Sequence, residues 1–289
     1  MNRSAYDQSI AALALRNALK AAAVLGDSHS AGLHVPANWS AIAAGFELSL
    51  PMGIANDTAQ TASSCAPRTP SGRTNVPIMQ EFDGMSAAFA TRHKGNAGPN
   101  GIGPLMMRYP LNVSRASLPD SLHRADLDFY CAQRQSGNSM YWSQFTIGHA
   151  DIEDAAATDF YFAKSSSKNI FGPFRIWSEA PGGGGCPNFL TGAGIWLQSL
   201  WAGYLGVRFA DDALLIRAPR LPPNTTALTL RGVAYAGARL RLRLDGGGMR
   251  ICLVERARGV LKVAVDGGAG KVMAVGSCAT LKTEGRVFV

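Results

Sequence analysis

Apolar positions recur every three or four residues through the first two thirds of the chain and every two residues through the last third. Residues 5–25 carry Ile10, Leu13, Leu19 and Val24 at near-helical spacing. They predict a helix ending at Gly26, a residue suited to the left-handed position after a helix. Segment 38–47 predicts a second, short helix after Pro36. The stretch 51–80 is rich in Thr, Ser, Pro, Gly and Asn without periodicity and predicts loop. Pro119-Asp120 opens a helix to about Gln133, with Asp120 as its N-cap. Helices follow near 139–150 and 151–164, then a Gly/Pro-rich loop over 165–187. The next helix, 188–205, is apolar nearly all round, which predicts burial on most sides. From Gly206, LLIRAP, ALTLRGVAYAGARLRLRL, RICLVE and LKVAV alternate like strands between turn signals such as Pro222-Pro223-Asn224. The predicted class is mainly α with a β domain: helical hairpins over 1–205, then a small antiparallel β-sandwich over 206–289.

Composition narrows the function classes. Of 289 residues, 47% are hydrophobic and 17% charged, enough to build a core and to exclude wholesale disorder. No apolar run reaches the roughly 18 residues of a membrane span, so no membrane partner is expected. Arg16 and Lys20 interrupt the N-terminal apolar stretch, so no signal peptide is read there. The net charge of +8 suggests nucleic acid. The basic residues are dispersed, however, and Arg239, Arg241 and Arg243 alternate with Leu240, Leu242 and Leu244. That pattern is a strand with one wet face, and no nucleic-acid partner is expected. Five widely spaced cysteines without a CxxC, and five histidines without ligand spacing, predict no metal site and no cofactor. Five N-x-S/T sequons, at Asn2, Asn38, Asn56, Asn112 and Asn224, allow a parent in the secretory pathway. Gly182 to Gly185 are not followed by the Lys-Ser/Thr of a phosphate-binding loop, and no G-x-S-x-G occurs. The glycine run reads as a mobile loop.

An ordered set of short motifs carries a resemblance. EFDG stands at 81–84, YPL at 109–111, DLDFY at 126–130 and SMYWSQFTIG at 139–148. GPFRIWSE at 172–179 leads through PGGGGCP into NFLTGAG at 188–194. Together they resemble the C-terminal half of glycoside hydrolase family 65, in particular its acid trehalases and protein-glucosylgalactosylhydroxylysine glucosidases. The resemblance implies the later part of an (α/α)6 barrel, a six-hairpin toroid, followed by a C-terminal β domain. It implies inverting cleavage of an α-glucoside or glycan substrate. RSAYDQSIAALALRNA resembles the helix that follows the family's general-acid motif, so that acid is expected upstream of Met1. The expected partners are therefore a missing N-terminal half or, through open helix faces, self-association.

Inverting hydrolysis needs two carboxyl groups roughly 6.5–9.5 Å apart, one protonating the leaving oxygen and one deprotonating water. The resemblance implies that Glu179, closing WSE, is the general base, with Trp177 limiting water beside it. The family's phosphorylases have a phosphate site there, so Glu179 points to hydrolysis. Glu81 and Asp83 either bind sugar hydroxyls or hold their loop. Trp142 and Tyr141 either stack on sugar or pack in the core, and Trp196 and Trp201 are core. Where the family has a Lys-Gln pair before YPL, this chain has Asn100 and Gly101. The alternative to an enzyme part is an inactive, truncated relative that at most binds carbohydrate.

Overall fold

The structure is a computed structural model that describes residues 4–25, 35–36, 38–48, 50–55, 65–68, 72–81, 102–132, 138–255 and 259–289. It divides into two compact units, Met1–Ser136 and Gly137–Val289. Among the described residues there are six α-helices and four antiparallel sheets. None of these helices is long and apolar enough to cross a membrane. The expected stops at Gly26 and Gln133 lie outside the described residues.

In the first unit, α1 (Ala5–Leu25) packs on α2 (Trp39–Leu48). The buried stripe of α1 is Ala5, Gln8, Ser9 and Ala12, spaced i, i+3, i+4, i+7. The larger residues of the expected stripe are not buried: Ile10 is 39% exposed and Val24 86%. Ala5 instead joins Met79, Met107 and Leu118 in a core where a small residue allows close approach. The expected loop 51–80 contains two strands, β1 (Met52–Ala55) and β2 (Val76–Met79), paired antiparallel with Met52 opposite Met79. Four-residue strands separated by twenty residues have too short a pattern to register as periodic. Helix α3 (Asp120–Ala132) clamps β2. The Met79 N–H donates to Asp126 Oδ1 at 2.7 Å, and Tyr130 Oη donates to the Met79 carbonyl at 2.7 Å. Asp120 is not a cap: it opens the helix with its carboxylate bound by Arg108 at 2.8 Å and by Arg115. A disulfide joins Cys65 to Cys131 of α3.

In the second unit, α4 (Ser139–Asp151) and α5 (Ala155–Ser167) form an antiparallel hairpin. Asn138 caps the first by accepting from the Tyr141 N–H, and Asp154 caps the second by accepting from the Ala157 N–H. Because Asp154 is the cap, α5 starts four residues later than its pattern predicts. A two-residue hairpin, β3 (Ile170–Phe171) with β4 (Ile176–Trp177), occupies the expected loop. Helix α6 (Leu190–Gln198) continues as wider, π-type turns over Ser199–Tyr204. Burial on most sides is not observed for it, since Leu190 is 80% exposed and Leu197 56%.

The rest of this unit is antiparallel β. One sheet orders β11 (Lys271–Val272), β10 (Lys262–Val265), β13 (Glu284–Phe288), β6 (Leu214–Arg217) and β5 (Val207–Phe209). The other orders β12 (Cys278–Leu281), β9 (Gly248–Glu255), β8 (Ala238–Asp245) and β7 (Ala227–Tyr235). Val207, Leu214, Ile216, Val263 and Val287 from the first share one core with Leu240, Leu242, Met249, Ile251 and Leu281 from the second. The alternation along β8 is realised, with Leu240, Leu242 and Leu244 inward. Arg239 and Arg243 on its wet face pair with Glu255 and Asp245. A disulfide joins Cys252 and Cys278, which stand opposite each other on β9 and β12. Polar bonds tie the helices to the β strands. Arg208 reaches Asp151 at 3.3 Å, and Asp159 binds both Arg220 at 2.7 Å and the Tyr204 hydroxyl at 2.8 Å.

Candidate functional site

Glu179 sits where β4 runs out into the glycine loop, and buried polar groups fix the backbone around it. Asn169, buried at the end of the turn after α5, donates from Nδ2 to the carbonyls of Ser178 (3.1 Å) and Glu179 (3.0 Å). The Ser178 N–H returns a bond to the Asn169 carbonyl at 2.8 Å, and Ser178 Oγ donates to the Ala180 carbonyl at 2.8 Å. With Ser178 buried, the half-buried residues on either side of it are Trp177 and Glu179. In extended chain, neighbours two apart share a face.

The loop closes on Glu179 through Cys186. The Glu179 N–H donates to the Cys186 carbonyl at 3.1 Å, and the Cys186 N–H donates to Glu179 Oε2 at 3.1 Å. Oε1 accepts no hydrogen bond from any described residue. One carboxylate oxygen is thus oriented and the other is left open, which is the arrangement a base needs to receive a proton from water. The glycines make this possible. Gly182, Gly183 and Gly185 have φ of 79°, 87° and 74°, a region that disfavours residues with a Cβ. A Cβ on Gly185 would stand 2.8 Å from both Cβ and Oε2 of Glu179. The loop is a folded turn, held also by Ala180 N–H to the Gly184 carbonyl at 3.0 Å and Gly182 N–H to the Lys168 carbonyl at 3.2 Å.

The other predicted residues are placed as follows. The Trp177 indole N–H donates to Ser139 Oγ at 2.8 Å, and its ring meets Trp196 at 5.7 Å. Gly192 leaves the room for this, since a Cβ there would come within 3.0 Å of Trp177 Nε1. Trp142, only 3% exposed, stacks on Tyr161 of α5 at 6.0 Å, and Lys164 Nζ lies 4.1 Å from the centre of its ring. Burial, with the Lys168 charge second, pushes the Lys164 ammonium below its ordinary value. Trp196 is half-buried against Phe162, and Trp201 packs on the β core. Glu81 belongs to the first unit, where its carbonyl accepts the Ala5 N–H at 3.0 Å. Asp83, Asn100 and Gly101 lie outside the described residues. Trp177 and Glu179 are therefore brought together on one strand end, with Trp142 in the helical hairpin of the same unit.

Sequence reasoning missed the groups that orient Glu179: Asn169, Ser178, Gly185 and the Cys186 N–H. It also missed Asp126, which is fully buried below β2. Desolvation raises the Asp126 pKa well above the ordinary carboxylate value, against a smaller lowering by the Met79 N–H. Burial, and then the Asp126 charge, raise the Tyr130 phenol as well. No group of three or more His, Cys, Asp or Glu among the described residues is disposed to hold a metal.

No family model matches the chain. Individual proteins do. Over 120 residues it is 37% identical to the protein-glucosylgalactosylhydroxylysine glucosidase of Danio rerio, covering 41% of this chain and 18% of that protein. Over 162 residues it is 27% identical to the kojibiose hydrolase of Mucilaginibacter mallensis, covering 55% and 23%. Over 174 residues it is 29% identical to the acid trehalase of Emericella nidulans, covering 56% and 16%. The chain spans less than a quarter of the length of each of these relatives. All three are glycosidases by name, of the family 65 type that EFDG, YPL, WSE and NFLTGAG resemble.

Proposed function

We propose that this chain carries the base side of an inverting α-glucoside hydrolase site, with Glu179 as general base. One observation carries the reading: a half-buried carboxylate with one oxygen tethered to the Cys186 N–H and the other free of described partners. Water held on Oε1 gives up its proton to Glu179 as it attacks the anomeric carbon. The leaving oxygen is protonated from the opposite side by a second carboxyl group, roughly 6.5–9.5 Å away in such enzymes. The resemblance puts that acid in a segment preceding residue 1. Trp177 forms the aromatic wall beside the base and narrows access of bulk water. Glu81 and Asp83 are candidates for sugar hydroxyls. Trp142, buried in the α4–α5 stack, supports the site through the position of α4. The architecture that fits this role is the later part of an (α/α)6 toroid over 1–205, followed by the β-sandwich over 206–289.

The substrate class is an α-glucosyl disaccharide or glycan. Trehalose, kojibiose and glucosyl-galactose are the compounds to test. The experiment compares the full chain alone with the full chain joined to an acid-bearing upstream segment, reading the anomer of released glucose by NMR. The expected result is background turnover alone and, once the segment is joined, β-glucose as the first glucose released from glucosyl-galactose. General acid catalysis contributes about 10²–10⁴-fold. Release of the glucosyl residue of glucosyl-galactose as α-glucose contradicts the inverting mechanism; trehalose and kojibiose do not decide it, because their leaving group is itself glucose. Sugar binding without turnover in both forms favours the carbohydrate-binding alternative.

A further inference from the structure

Two sets of residues outside the Glu179 loop point to the same environment. The first is the cysteines. Four of the five are joined, Cys65 to Cys131 and Cys252 to Cys278, leaving Cys186 free. The first bond ties a segment 66 residues away to α3, and the second locks the edge strand β12 to β9. Each forms by loss of two electrons and two protons to a disulfide donor. Such bonds persist in oxidising compartments and are rare where thiol buffers keep cysteines reduced.

The second set is the sequons. Asn38, Asn112 and Asn224 lie among the described residues, and all three are exposed. They are not equivalent as acceptors. Asn38 immediately precedes α2, with its carbonyl accepting the Ile42 N–H at 3.0 Å. Asn112 is engaged by a neighbouring group. Asn224 stands at the tip of the turn between β6 and β7, with φ of 58° and an exposed Thr226 two residues on. That turn is lightly held, by a 3.3 Å bond from the Thr225 N–H to the Pro222 carbonyl and a 3.3 Å bond from Thr225 Oγ1 to the Pro223 carbonyl. An acceptor asparagine must enter a transferase site in extended form, which a loosely bonded surface turn permits.

We propose that Asn224 is an N-linked glycosylation site and that the chain is built for the secretory pathway. The Asn224 Nδ2 bonds to the anomeric carbon of a lipid-pyrophosphate oligosaccharide. The bond from that carbon to pyrophosphate breaks, the lipid pyrophosphate leaves with the electron pair, and the amide proton passes to solvent through the transferase. The glycan has a physical use here. It stands three residues before β7, the nine-residue edge of its sheet among the described residues, whose outer backbone side would otherwise template pairing with another chain.

The test directs the full chain into a eukaryotic secretory pathway and maps its peptides before and after peptide N-glycosidase. Chain retained in the cell is mapped in the same way as chain that is secreted, so a folding defect does not hide the answer. The expected result is conversion of Asn224 to aspartate by the glycosidase. Asn224→Gln and Thr226→Ala each remove that modification, and Thr226→Ser keeps it. Alkylation without reductant labels only Cys186, and alkylation after reduction labels all five cysteines. An unmodified Asn224, or five labelled thiols without reductant, each overturns the proposal.

Discussion

Glu179 shows how little of a functional carboxylate's setting lies next to it in sequence. The WSE motif marks the residue, but its orientation comes from Asn169 ten residues earlier and Cys186 seven residues later. Neither has a distinctive pattern around it, because a side-chain amide aimed at two carbonyls depends on where the hairpin turns. Gly185 was visible only as one of a run of glycines, although a Cβ there would collide with the Glu179 carboxylate. Asp126 was equally hidden. DLDFY stands in the sequence only as part of the resemblance, and the structure buries its Asp126 under β2 to receive the Met79 N–H. Its folded pKa lies above the unfolded one, so the stability it contributes is full below about pH 3.9 and is lost as pH rises toward the folded value. Asp126→Asn keeps the Oδ1 acceptor and cannot ionise. We expect the melting temperature of Asp126→Asn, relative to wild type, to climb as pH is raised from about 4 to about 8. A constant difference between the two melting curves across that range would show that Asp126 does not titrate as a buried acid.

At the scale of elements, long periodic segments were legible and short or compensated ones were not. Helices α1, α3 and α4 begin close to where their patterns place them, and α4 also ends there. The β1–β2 pair escaped notice because its strands have four residues each and pair across intervening chain. The burial of α6 was misjudged for another reason. An all-apolar helix signals that burial is available and does not say which faces are covered. In β8 the period-2 signal was unambiguous, since a one-residue slip would put three arginines into the core. The sandwich core is therefore where a stability test reads most cleanly. Leu242→Ala, at a fully buried position, should cost about 2–5 kcal/mol in denaturant unfolding. Arg241→Ala on the exposed face should change stability by less than about 0.5 kcal/mol. Equal effects at the two positions would mean that β8 does not face the core as described.

At the scale of the whole molecule, the run of strands after Gly206 was legible, because the hydrophobic period changes there, while the two short strand pairs before it were not. The disulfides were not legible, since five widely spaced cysteines permit many pairings and only the β9–β12 register and the course of α3 select among them. The chain spans less than a quarter of the length of the relatives it matches, and the proposed reaction needs a second carboxyl group. The base claimed for Glu179 must therefore be tested with an acid partner supplied. The decisive measurement is the kcat of Glu179→Gln, in the full chain joined to an acid-bearing segment, against its wild-type counterpart. We predict a loss of about 10²–10⁴-fold with sugar binding and melting temperature preserved, and partial recovery when azide is given with an α-glucosyl fluoride. Azide needs no deprotonation, so only a lost base is bypassed in this way. A kcat close to wild type for Glu179→Gln would place the base elsewhere and contradict the reading of this site.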